Sequence, residues 1–332
     1  MKKLLSRILL NLLLFCSIGA IAQAEPPTSW LMPPKDLWAF SYQYLDLESN
    51  VTPSRDVVLA SGTVKAYVNS IPVVRSFAIG NRIAQIFVIP TFGNLTAAVD
   101  VEDIPGFGEV DIDPIEVIDK TGMMDSQFVF RVGLLNAPAL NIIELAKWER
   151  KFQIYGLFGV TLPTGEYDSR RRINLGSNRW GLRFGAPMVL PLNENKKKPA
   201  DLEIHPNITF FTNNNDPFVG DTKNQKPLLR LNTAFTKYFT SKFYSSVGVG
   251  FQYGGVTQID DLPEGARIEQ LAAGITGGYT FASIIKVQAT LGQIFFNEKN
   301  GLMARFQTTV VLPSKSDREL IKEAGQASQQ ME

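Results

Sequence analysis

The chain has one cysteine and one histidine in 332 residues. Cys16 falls inside the first 24 residues, which read as an export signal. Lys2, Lys3 and Arg7 make a basic start, Ile8 to Ile21 a mostly apolar run, and Ala22-Gln23-Ala24 a small-x-small cleavage site. Phe15 precedes Cys16 where a lipidation signal needs a small residue, so the thiol is not read as a lipid anchor. Cleavage after Ala24 would leave no thiol, which excludes disulfides, a thiolate nucleophile and a cysteine-held structural zinc. Excess charge is lacking too. The net charge is +1, and the first 24 residues hold three basic residues and no acid, so the remainder carries −2. That is no footprint for nucleic acid. After the signal, no uninterrupted apolar run is long enough for a spanning helix, although 45% of the residues are hydrophobic. An exported chain of this kind is periplasmic or an outer-membrane barrel.

What is present is alternation. Phe128, Phe130, Val132 and Leu134 switch with Gln127, Arg131 and Gly133. Leu202, Ile204, Ile208 and Phe210 interleave with Asp201, Glu203, His205 and Asn207. Trp180, Leu182, Phe184, Met188 and Leu190 interleave with Arg179, Gly181, Arg183 and Gly185. A period of two means strands with one face for each residue type. About twelve such segments are expected, near 37–46, 63–79, 83–98, 126–135, 151–162, 178–190, 200–212, 227–239, 242–255, 267–280, 284–296 and 301–312. Soluble strands run to about 5–6 residues, whereas a tilted spanning strand needs about 9–11. Length therefore favours an all-β fold, a transmembrane up-and-down antiparallel β-barrel over 25–314, above a soluble sandwich. Residues 315–332 read as a polar periplasmic tail.

The connections agree. Short turns are expected at Gly80-Asn81, Thr240-Ser241 and Phe281-Ala282-Ser283, and long polar loops at 47–62, 99–125, 163–177, 213–226 and 256–266. With a periplasmic N-terminus, all the short turns fall on one side and all the long loops on the other. Segment 136–150 departs from this. Ile142, Ile143, Leu145 and Trp148 recur at near-helical spacing and predict a short helix at the rim or inside. Trp38, Phe40, Tyr42, Tyr44, Phe243, Phe251 and Tyr253 are candidates for aromatic girdles.

Between two strands lies Leu162-Pro163-Thr164-Gly165-Glu166-Tyr167-Asp168, followed by Asn174-Leu175-Gly176-Ser177-Asn178-Arg179-Trp180. Pro163 stops ladder donation, and Gly165 and Gly176 permit positive φ. Asn174 and Asn178 are placed to bond local backbone in tight turns, and Trp180 opens the next strand. This pair of motifs resembles the "MetA-pathway of phenol degradation" family of outer-membrane transporters. Ser76-Phe77, Gly80-Asn81-Arg82, Ala137-Pro138-Ala139-Leu140 and Asn213 stand where that family's neighbouring segments do. The resemblance covers roughly 35–312 and implies an outer-membrane barrel that moves small hydrophobic or aromatic compounds. The acidic stretch 99–113 and the tail have no counterpart in that family's pattern.

For chemistry, any histidine mechanism must use His205, on a face with Asp201, Glu203, Asn207 and Thr209. No Gly-x-Ser-x-Gly is present, and nothing ties Ser245 or Ser246 to His205, so no catalytic residue is assigned. Arg131, Lys151, Arg179, Arg183, Asp201, Glu203, Arg230, Lys286 and Arg305 fall on polar sets and are expected to face the lumen. Asp100, Glu102, Asp103, Glu109, Asp111 and Asp113 offer carboxylates for calcium but match no EF-hand spacing, so a hydrated loop is expected. Arg170, Arg171 and Arg172 are expected near the outer rim as mobile, hydrated charges, with contact to lipopolysaccharide phosphates as the alternative. The expected partners are outer-membrane lipid and lipopolysaccharide, small-molecule solutes and the outer-membrane assembly machinery, with no cofactor, metal or nucleic acid. The leading function is passage of small solutes. A plugged interaction barrel and a lipid-acting barrel enzyme are the alternatives.

Overall fold

The computed structural model describes residues 26–49, 63–100 and 115–323, apart from 172, 263, 266, 282–283, 297–298 and 321–322. The strands are β1 (Trp38–Ser49), β2 (Thr63–Ser70), β3 (Val73–Ile79), β4 (Arg82–Asp100), β5 (Ile115–Leu135), β6 (Gln153–Leu162), β7 (Gly181–Gly185) and β8 (Met188–Pro191). They continue as β9 (Ala200–Phe211), β10 (Lys223–Gln225), β11 (Leu228–Tyr238), β12 (Phe243–Gly254), β13 (Thr257–Ile259), β14 (Ile268–Phe281), β15 (Ile285–Phe296) and β16 (Lys299–Leu312). β3 extends β2 and β8 extends β7, so the 14-stranded sheet forms twelve staves. The last stave closes on the first. Trp38 pairs with Leu312 and Leu47 with Met303, antiparallel like every other pair in the sheet.

Closure follows from the alternation. On β12, Phe243, Val247, Val249, Phe251 and Tyr253 point out and are exposed, while Tyr244 and Ser246 are buried inside. Val247, Ile275 and Leu291 sit side by side across β12, β14 and β15 and form an apolar row outside. Aromatic side chains ring both ends of that band: Trp38, Phe40, Phe243 and Phe281 at the short-turn end, and Trp180, Phe251 and Tyr253 at the long-loop end. This is the girdled exterior of an outer-membrane barrel.

Five segments differ from the sequence expectation. The segments 63–79 and 178–190 are each broken, at Ile71-Pro72 and Ala186-Pro187, because proline lacks a ladder donor. The Ile71 and Ala186 amides bond instead to the carbonyls of Pro90 and Pro206. Segment 99–125 is not all loop, since β4 runs to Asp100 and β5 begins at Ile115. The acidic run beyond Asp100 lies outside the described residues. The loops 213–226 and 256–266 are not wholly irregular either, because β10 pairs with β13 there.

The helix expected in 136–150 is present as α1 (Ile142–Lys147), with an Asn141/Glu144 capping box and no buried residue. It lies at the rim and does not fill the barrel. Residues 315–320 form a further helical turn, whose Asp317 accepts from the Ile142 amide at 3.4 Å.

The exterior makes a depth-dependent prediction. Ile275→Arg, in the middle of the apolar row, should lower folding stability by about 2–4 kcal/mol, and Glu269→Arg near the long-loop end by about 0–1 kcal/mol. Denaturant titration of refolding into phosphocholine vesicles measures both, and equal effects would contradict a lipid-facing row.

Candidate functional site

At the long-loop end, residues 163–180 fold back into the barrel mouth. Their anchor is the half of β5 that reads as loop in the sequence. The buried Asp125 carboxylate accepts from the Gly165 amide at 2.9 Å, the Ser177 amide at 2.9 Å and the Ser177 hydroxyl at 2.6 Å. Ile173 and Leu175 then pack on Val64, Leu95 and Met124 inside the barrel. Gly165 and Gly176 are needed for contact, not for positive φ as the sequence suggested. Neither has φ above zero. A Cβ on Gly165 would lie 2.5 Å from the Gly176 Cα and 2.9 Å from the Asp125 amide nitrogen.

The rest of the motif fastens the same loop. Pro163 follows the last residue of β6. The Asn174 side chain donates to the Asp168 and Arg171 carbonyls and accepts from the Asp168 amide. Asn178, at φ 52°, donates to Asn214 at 3.0 Å. Asn214 in turn donates to the Tyr167 hydroxyl at 2.9 Å, and that hydroxyl donates to the Asp216 carbonyl. Trp180 is exposed on the outer surface. Asp168 stands outside the spanning band, where Arg170's side-chain hydrogen bonds hold its carboxyl down to about 2.

The opposite end is occupied by the chain's own N-terminal segment, which sequence reasoning missed. Glu203 accepts from the Thr28 amide at 2.7 Å and the Trp30 amide at 3.1 Å. Arg131 donates to the Trp30 carbonyl at 2.9 Å, to the Leu31 carbonyl at 3.2 Å and to Gln85. Its guanidinium also covers the Tyr155 ring at 4.4 Å. Lys286 donates to the Thr28 hydroxyl. His205 meets the Trp30 ring edge-on at 4.3 Å between centroids. Three expected lumen charges thus hold a strap of backbone. The signal for it was Trp30-Leu31-Met32-Pro33-Pro34, apolar but too rich in proline for a strand.

The family-like residues around this end hold it together. The Ser76 hydroxyl donates to the Pro34 carbonyl at 2.7 Å and accepts from the Leu37 amide at 3.0 Å. Gly80, at φ 58°, turns β3 into β4, and Arg82 donates to the Gly133 and Leu134 carbonyls. The Ala139 amide bonds to Asn81 and the Ile83 amide to Ala137, which ties segment 137–139 to the turn.

Among the remaining candidates, Arg179 is buried, donates to Gln225 and covers the Phe211 ring at 4.9 Å. Asp201 is buried and accepts from Arg150, and Asn207 and Arg305 are buried inside the barrel. Arg183 stands over Gly159, and Arg230 pairs in register with Asn207. Lys151 does not join them. It is exposed at the rim and pairs with Glu149 at 3.0 Å. Ser246 is bonded to Thr236, two strands from His205 and four residues along, about 13 Å away in strand rise alone. No nucleophile–histidine pair forms there. No cluster of three or more metal-ligating side chains occurs among the described residues.

The inner wall is mixed. Around Trp30 it carries Ile83, Phe87, Ile89, Val129, Tyr155, Leu157 and Val189, with Gln85, Arg131 and Gln153 buried among them, and a separate apolar cluster of Val64, Leu95 and Met124 lies at the other end. On β9 to β16, Asn207, Asn232, Thr236, Gln270, Thr276, Gln288, Thr290 and Arg305 are buried beside Leu228, Tyr244, Ile268 and Met303.

The family profile described as "Putative MetA-pathway of phenol degradation" matches residues 51–304. The chain belongs to that family. Its fold is similar to the crystal structure of an outer membrane channel from Pseudomonas putida F1, with a TM-score of 0.67 and 16% identity over 87% of this chain and 100% of that one. A Pseudomonas aeruginosa FadL homologue is a more distant likeness, with a TM-score of 0.40 and 9% identity over 88% of this chain and 94% of that one. No curated protein matches.

Replacing Asp125 tests the outer seat. Charge-assisted hydrogen bonds contribute about 1.5–3 kcal/mol each, so Asp125→Ala should free the loop. Trypsin cleavage after Arg170 or Arg171 should accelerate at least tenfold while the barrel keeps its heat-modifiable gel mobility. An unchanged cleavage rate would show that Ile173 and Leu175 alone seat the loop.

Proposed function

We propose that this protein is an outer-membrane transporter that passes small hydrophobic solutes, aromatic ones included, through a normally closed lumen. The observation that carries this reading is an apolar cluster inside each end of the barrel. Val64, Leu95 and Met124 pack on the inserted loop at the mouth, and Ile83, Val129 and Val189 pack on Trp30 of the strap at the opposite end. A hydrophobic solute gains by leaving water for either cluster and needs no cofactor or covalent step to cross. Family membership supports the same reading.

In this orientation the long loops face outside and both ends of the barrel sequence face the periplasm. Arg170 and Arg171 then stand at the leaflet that carries lipopolysaccharide, and the exterior band contacts lipid. The strap of residues 26–37 is the inner closure. A plugged interaction barrel draws on the same dense packing and is the outcome if freeing the strap changes nothing.

The test combines uptake with conductance. Cells expressing the protein in a channel-poor outer membrane should accumulate labelled toluene several-fold faster than cells with the empty vector. In planar bilayers the intact barrel should be nearly silent to ions. Deletion of 26–36, or Glu203→Ala, which removes two carboxylate hydrogen bonds to the strap, should give stepwise currents. Vector-level uptake together with silence from the folded deletion variant would overturn the transporter reading.

A further inference from the structure

Segment 137–142 is a joint where three parts of the chain meet. The Ala139 amide donates to the Asn81 carbonyl at 2.9 Å, which fixes the joint to the turn between β3 and β4. The Leu140 carbonyl accepts from the Lys35 amide at 2.7 Å, at the β1 end of the strap. The Ile142 amide donates to the Asp317 carboxylate at 3.4 Å. Ile142 opens α1, and the capping box serves only the Asn141 and Glu144 amides. The first amide of a helix has no partner within it, so Ile142 needs one from outside.

Asp317 is aimed at that amide by its own turn. The Ser314 hydroxyl accepts from the Asp317 amide at 3.0 Å, and the Ser314 carbonyl from the Arg318 amide at 3.1 Å. Lys315, Ser316, Arg318 and Glu319 are exposed, whereas Asp317 is 2% exposed. A carboxylate is tolerated out of water only where a donor meets it. Here the donor is the Ile142 amide.

We infer that the C-terminal turn is a latch on the N-terminal strap, with Asp317 as its positioning residue. By holding Ile142, Asp317 keeps Leu140, two residues away, where the Lys35 amide bonds to it. The strap's other partners belong to the staves: Ser76 for Leu37, and Glu203 for Thr28 and Trp30. Among the described residues, Leu140 is the one seat of the strap that no stave carries, so its position depends on what grips segment 137–142. The word latch rests on the reading of the strap as the inner closure. The coupling of turn to strap does not.

The test is hydrogen exchange on the folded protein in detergent, read by mass spectrometry. Asp317→Ala, and truncation after Ser314, should each speed exchange of the Lys35 amide at least about tenfold, with β12 unchanged and heat-modifiable gel mobility kept. Asp317→Asn keeps an acceptor and should stay within about threefold of the wild type. In planar bilayers, Asp317→Ala and the truncated chain should show current steps several-fold more often than the intact barrel. Faster exchange confined to α1 would overturn the latch, because the turn then caps the helix and nothing more. Exchange unchanged throughout would overturn it as well. A loss in Asp317→Asn equal to that in Asp317→Ala would overturn the hydrogen bond as the link. Faster strap exchange without current supports the coupling and overturns only the strap as closure.

Discussion

The structure depends on one constraint: a strand in lipid has no water for its amides and carbonyls, and each group left unbonded costs several kcal/mol. A sheet meets that demand only by closing. The β16–β1 pairing makes the barrel from a meander, and its register puts Trp38 opposite Leu312. Once closed, alternate side chains have no choice of side. Val247, Ile275 and Leu291 must face lipid because their neighbours Ser246, Thr276 and Thr290 face in.

A barrel of about twelve strands is intermediate between one filled by side chains and one wide enough for a water channel. Here Arg131, Asp201, Glu203 and Arg305 are buried inside the barrel. A buried charge is tolerable only when it is paired and hydrogen-bonded. Among the described residues Glu203 makes no direct ion pair with Arg131 or Lys286, and the strap supplies hydrogen bonds to all three. Its amides meet Glu203 and its carbonyls meet Arg131. The strap is therefore part of the polar solution of the lumen as well as a closure. Asp125 plays the matching role outside, where the amides of Gly165 and Ser177 come to it.

Much of this was legible in the sequence, and the failures have physical causes. The barrel staves could be read because a lipid face enforces apolar alternation whatever the loops do. Residues 115–125 were read as loop because β4 and β5, at 19 and 21 residues, exceed the length that lipid requires. Past the bilayer no alternation is needed, so none is written there. The rim helix announced itself through Ile142, Ile143, Leu145 and Trp148. The strap did not, since a segment bonded through its backbone leaves no periodicity in its side chains. Gly165 and Gly176 were singled out for the torsion that glycine permits, whereas the structure uses them for close contact. A sequence shows that a side chain is missing but not whether the space is needed for torsion or for a neighbour.

The strap's two kinds of contact also constrain how a hydrophobic solute moves past it. To expel the strap, the solute would have to replace the hydrogen bonds that the Thr28 and Trp30 amides give Glu203 and that the Trp30 and Leu31 carbonyls give Arg131. A hydrocarbon has no donor or acceptor to offer, and an unpaired buried charge is the costlier state. The apolar contacts of Trp30, Leu31 and Met32 with Ile83, Val129 and Val189 carry no such penalty, because one hydrophobic surface can replace another. In a transporting barrel the strap therefore stays tethered on its charged side and yields on its apolar side. On the transporter reading proposed above, the route for the solute lies between the strap and the wall of β4 to β6, and full release of the strap belongs to a different, ion-conducting state.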